Sequence, residues 1–220
     1  MPSQKSDNLL LLALTGFSSG VLTSVLPSLL VFVSRELVFL SDAVFGAAMA
    51  WYFWRFRGVR SRWKLLAFVV ASIFAYHSAS AASMFSPAPR DILGFPSGNL
   101  DQIPSDRFFI GGFVGAVILF AAGFFFLSPR ARLRGFAAIA FIFSIISGAL
   151  GILGWSLGHS LGLILWKVLG SIHMVSAYSA NMAGSTNGQF YSLFVVWQTG
   201  MAVLLGVALK NQTAPVSAEE

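Results

Sequence analysis

The chain has 220 residues, of which 56% are apolar and only 10% charged, with a mean hydropathy of +0.78 and no cysteine. Soluble domains carry about a quarter charged residues, so that class is excluded, and with it go disulfides, thiolate metal sites and cysteine nucleophiles. The net charge of +6 does not describe a nucleic-acid binder, because eight of the fourteen Lys and Arg residues sit in two short segments beside apolar runs and no broad basic face remains.

The opening octet lacks the basic start of a secretory signal, and residues 20–35 offer no small-residue cleavage site. Leu9 to Val33 therefore reads as an uncleaved first span. Within it Pro27 removes one helical hydrogen bond and frees the carbonyl of Thr23, which predicts that this face turns inward. Ser34-Arg35-Glu36 reads as a tight outer turn, and Leu37 to Trp54 as the second span.

Trp51, Tyr52, Trp54 and Trp63 then alternate with Arg55, Arg57, Arg60, Arg62 and Lys64. Aromatics at a membrane boundary followed by cations in a short loop mark the cytoplasmic side, and such a cluster attracts anionic lipid head groups. Leu65 to Met84 is the third span, with Ser72, Tyr76, Ser80 and Ser83 on one face at 100° per residue. Residues 86–107 hold four Pro and three Asp and read as an outer loop.

Phe108 to Leu127 is the fourth span, and Arg130, Arg132 and Arg134 follow it. Two spans and one outer loop separate this second basic cluster from the first, so both fall on the same side. The fifth span is placed at 136–157, where small residues recur four apart at Ala140, Ser144 and Gly148, and again from Gly154 through Gly158 to Gly162. Such rows predict close helix packing. Residues 161–182 carry Lys167, His173 and Asn181 and read either as a further span or as an interfacial or re-entrant helix. Residues 190–209 form the last span. The expected fold is an all-α polytopic bundle, one domain over 1–220, with six spans and 161–182 as a seventh candidate. The N-terminus is expected in the cytoplasm and a bacterial inner membrane is the expected site.

Ionisable groups inside spans are expensive and raise functional hypotheses. Asp42 lies inside the second span, with Arg35 seven residues earlier as a structural partner. His77 is expected near mid-membrane, where an imidazole serves either as a proton relay or as a hydrogen bond between helices. No second acid is visibly spaced to work with it. Gln198 needs a partner within the bundle, and Tyr76, His77 and Ser80 stand at similar depth. His173 with Ser176, Tyr178 and Asn181 forms a second polar group.

Three motif readings fail. Gly158-His-Ser-Leu-Gly162 matches a nucleophile elbow but lacks the flanking strand. Pro96-Ser-Gly-Asn99 lacks the histidine of the membrane phosphatase motif. Asn211-Gln-Thr213 has meaning only in a eukaryotic secretory route. Haem would need facing histidines, for which only His77 and His173 offer a pair, and no metal or cofactor is called for.

Three functions follow as expectations. One is a small-solute or proton-linked transporter or channel, its pathway lined by Thr23, Asp42, Tyr76, His77, Ser80 and Gln198. Another is a non-catalytic subunit or assembly factor of a membrane complex. The third is an enzyme for a lipid or hydrophobic metabolite with Asp42 or Glu36 as acid. Expected partners are the bilayer, anionic head groups, and either a second copy or other membrane subunits.

Overall fold

Long Leu- and Phe-rich runs without an interrupting charge leave a backbone in lipid one choice, to satisfy every N–H and C=O within its own helix. A computed structural model describes residues 9–30, 41–85, 106–127, 133–157 and 186–210, and their regular structure is all helical. The helices are α1 (Leu9–Leu30), α2 (Val44–Phe56), α3 (Arg62–Phe85), α4 (Arg107–Ala122), α5 (Leu133–Ser156) and α6 (Thr186–Lys210). A short 3-10 turn over 41–43 leads into α2, and a π-helical turn, Gly123–Leu127, ends α4.

Each helix packs on its neighbour in sequence, and α6 closes the ring onto α1 while also touching α4. The contacts fix the sense of every pair. Gly16 faces Gln198 and Ala202 whereas Gly20 faces Val195, so α1 and α6 run antiparallel. Gly46 faces Ser72, Gly111 faces Ser83, and Gly112 faces Ser147, which makes α2–α3, α3–α4 and α4–α5 antiparallel in turn. The small residues predicted to form a seam do so. Gly148 meets Phe109 of α4 and Gly154 meets Leu193 of α6, while Gly158 and Gly162 lie outside the described residues.

Five helices, α1, α3, α4, α5 and α6, are long and apolar enough to cross a membrane, and the chain is accordingly an integral membrane protein. Among the described residues that is one fewer than the six spans expected. Over the described residues α2 has 13 residues, or roughly 20 Å at 1.5 Å per residue, against a hydrocarbon core of about 30 Å. The 161–182 segment and residues 86–105 of the loop expected over 86–107 lie outside the described residues. Gly154 of α5 meets Leu193 and Leu150 meets Gly200, so α5 and α6 are antiparallel and the chain leaves α5 and rejoins at α6 at the same end of the bundle.

Arg57 Nη2 donates to the carbonyl of Gly206 at 3.1 Å, and Leu12 packs on the same glycine. The start of α1, the α2–α3 turn, the π turn of α4 and the end of α6 therefore share one end, with Arg134 opening α5 there. The parity expected of the two basic clusters is thus met by the helix directions. That end is called the basic end below.

The centre of the ring is filled by Phe45 and Met49 of α2, Phe68 of α3, Leu119 and Phe120 of α4, and Trp197, Met201 and Leu205 of α6. Several buried hydroxyls fold back on their own helix, as Ser19 does on Gly16 O and Ser24 on Gly20 O, which satisfies the proton without a partner helix. Ser147 differs. It donates to Gly112 O at 3.0 Å and accepts the Trp197 indole N–H at 2.8 Å, tying α4, α5 and α6 together. Ser147→Ala should leave that indole N–H buried and unpaired, lowering stability by about 2 kcal/mol. Ser147→Thr should retain most of it, as read by SDS-titration unfolding in mixed micelles.

Candidate functional site

One polar network crosses the bundle among these apolar contacts. It begins on α6, where Gln198 Nε2 donates to Thr23 Oγ1 of α1 at 3.1 Å. The Thr23 hydroxyl has a single proton, and with its oxygen accepting from the amide nitrogen, that proton has Ser41 O at 3.4 Å and Gln198 Oε1 at 3.5 Å as acceptors. Ser41 Oγ in turn donates to Asp42 Oδ1 at 3.3 Å. Asp42 Oδ2 stands 3.1 Å from His77 Nε2 on α3. Three helices and the 3-10 turn ahead of α2 thus contribute to a chain of polar contacts from Gln198 to His77.

Local sequence explains the positions. Thr23 is held inward because, seven residues after Gly16 and three after Gly20, it shares with them the close-packing face of α1. Asp42 precedes α2 at the point where the 3-10 turn passes into the helix, beside backbone N–H groups that favour a negative charge. His77 reaches it because α2 and α3 form a hairpin about the tight turn at Gly58, whose φ of +71° is one a side chain resists. Asp42 and His77 stand nearly equidistant from that turn.

Burial is uneven. Thr23, Ser41, Asp42 and Gln198 are all buried, while half of the His77 side chain is exposed. His77 lies on the outward stripe of α3 with Leu66, Val70, Phe74 and Met84. It is eight residues before Phe85, ~12 Å below the end of the helix, so it sits in the half away from the basic end rather than at mid-span. Tyr76 packs its ring edge-on to His77 at 5.8 Å and tilts against Phe194 of α6 at 5.5 Å. One level toward the basic end, Ser72 is buried against Gly46, and its hydroxyl has no hydrogen-bond partner among the described residues. Beyond it the interior is closed by Met49, Phe53, Phe68 and Phe120.

Several expectations are corrected by this geometry. Gln198 pairs with Thr23 and not with Tyr76, His77 or Ser80, because α1, and not α3, is the helix packed against that face of α6. Ser80 is half-buried and takes no part in the network. The acid absent from the sequence reading of His77 is Asp42, and the carboxylate is held by the imidazole, with Arg35 outside the described residues. Glu36, His173, Asn181, Arg130 and Arg132 also lie outside them. Ser41, which closes the link between Thr23 and Asp42, was not singled out by sequence. Its signal was adjacency to a buried acid, where a hydroxyl satisfies a carboxylate oxygen.

Among the described residues no three His, Asp or Glu side chains come together as metal ligands. Comparison with family models, with curated proteins and with solved structures returned no match. The chemistry of the site therefore rests on its own atoms. A carboxylate buried in the bundle and touching an imidazole that reaches its surface can take up, hold and release a proton, and the Thr23–Gln198 pair joins that event to α1 and α6.

Proposed function

We propose that this integral membrane protein is a proton-linked transporter for a small solute, with Asp42 and His77 as the proton-handling pair. The observation that carries this reading is the 3.1 Å contact between the two groups, one buried and one opening to the surface of the bundle. Intramembrane acid–histidine chains are a recurring device of pumps and transporters, and the group that exchanges with the outside must be reachable. Thr23 and Gln198 supply the coupling. Any change in charge at Asp42 alters the pull on Ser41, and through the Ser41 carbonyl the hydrogen bond that joins α1 to α6. The basic end is assigned to the cytoplasm of a bacterial inner membrane on the positive-inside rule.

The test is proton flux in proteoliposomes carrying a trapped pH dye under an imposed pH gradient, with added solute pools. The wild-type protein should dissipate the gradient faster than empty vesicles. Asp42→Asn should reduce that rate at least about tenfold, within the range that a positioned acid–base group contributes, while Ser80→Ala should leave it unchanged. Equal rates for wild type, Asp42→Asn and empty vesicles would overturn the reading.

A second reading is favoured by one feature, the placement of His77 on the outward stripe of α3. In it the pair docks another membrane subunit, since a polar group facing lipid is costly. Co-purification in mild detergent that is lost in His77→Leu would support that reading over transport.

A further inference from the structure

The basic end carries more cations than the fold uses. Arg57 has a structural task, its guanidinium donating to Gly206 O and pinning the end of α2 to α6. Arg55 lies over the Phe56 ring at 5.6 Å and is exposed. Arg60 and Arg62 are exposed, and Lys64 is half-exposed just inside α3. Among the described residues the only carboxylates are Asp42 and Asp106, and both stand in the opposite half of the bundle. Four cations therefore face outward here with no described acid to balance them.

The same turn presents Trp51, Trp54 and Trp63 to the outside, the last of them 80% exposed. Indole rings at this level seat themselves among lipid head groups, an apolar body below and an N–H above. We propose that the α2–α3 turn is a binding site for anionic phospholipid, in which the three tryptophans set the depth and Arg55, Arg60, Arg62 and Lys64 hold the phosphate. Arg57 lies outside that site although it sits in the middle of the same run. The charge complementarity argues for an anionic occupant, and the flanking tryptophans argue for a head group anchored in a bilayer over a soluble phosphate ester.

The proposal divides five adjacent cations into two kinds, which an experiment separates. The full-length protein, purified in mild detergent, is given equal amounts of phosphatidylglycerol and phosphatidylcholine, and the retained lipids are counted by native mass spectrometry. Wild type should retain the anionic lipid preferentially, and 0.5 M salt should suppress that preference. Arg60→Gln/Arg62→Gln should reduce it at least about fivefold, the worth of roughly one cation at an anionic surface. Arg57→Gln should keep the preference while lowering thermal stability. Both variants are first checked for a wild-type size-exclusion profile, and because Arg60 and Arg62 make no described contact their double variant should fold. Equal retention of the two lipids by wild type, or an unchanged preference in the double variant, would overturn the proposal. So would displacement of the lipid by millimolar glycerol phosphate, which would identify a soluble phosphate ester as the occupant.

Discussion

His77→Ala should destabilise the protein more than Asp42→Asn, even though His77 is the more exposed of the two. Among the described residues, removing the imidazole leaves the buried carboxylate one long hydrogen bond, from Ser41 at 3.3 Å, and a buried charge without its partner costs about 3 kcal/mol or more. Asp42→Asn removes the charge but leaves a carbonyl oxygen where Oδ2 stood, so that His77 keeps an acceptor and the loss should be about 1 kcal/mol. The order has a sharper form in the double variant. Asp42→Asn/His77→Ala should be more stable than His77→Ala alone, because the second change removes the charge that the first left unpaired. SDS-titration unfolding of the four proteins gives the cycle directly. If His77→Ala and the double variant unfold together, Asp42 is not charged in the folded protein and the pair is an ordinary hydrogen bond.

Gly16→Ala should also be strongly destabilising, and here the sign itself is informative. In a helix exposed to its surroundings, Gly→Ala is favourable by roughly 1 kcal/mol. At Gly16 an added Cβ would stand 2.5 Å from the carbonyl oxygen of Gln198 and 2.7 Å from the Thr199 Cα. Both are backbone atoms of α6, which cannot rotate aside as a side chain would. The two helices must separate, and overpacking of this kind costs about 1–3 kcal/mol before the loss of neighbouring contacts. Because Gln198 is the residue displaced, its hydrogen bond to Thr23 should lengthen as well. A net loss of about 2 kcal/mol in Gly16→Ala, together with weakened proton flux, is the expected result. A stabilised variant would mean that α1 and α6 are not in close contact.

The membrane class was legible because it needs only length and apolarity, both of which one sequence contains. The common side of the two basic clusters was legible for the same reason, since span parity is a one-dimensional property. Partner assignments were not. Gln198 was expected to meet α3 and meets α1 instead, since which helices lie side by side is decided by glycine faces on both of them. Gly16 and Gly20 form such a face, four residues apart, and they were the overlooked signal for the α1–α6 contact. The Asp42–His77 contact was within reach of the sequence. Once residues 57–61 are read as a tight turn, counting outward from Gly58 brings the two residues to one level. The second span was expected to be continuous from Leu37 to Trp54, whereas over the described residues it opens on a 3-10 turn at 41–43 and only then becomes α2.

The closure of the ring by α6 onto α1 has a consequence for how the protein is made. Helices α2 to α5 each find a partner already inserted beside them as synthesis proceeds. The glycine face of α1 has its partner only when α6 emerges from the ribosome. Until then α1 waits in the bilayer with its closest-packing surface bare, exposed to capture by insertion chaperones and quality-control proteases. Assembly therefore completes in a single late step, and a chain truncated before residue 186 should be degraded instead of accumulating as a partial bundle.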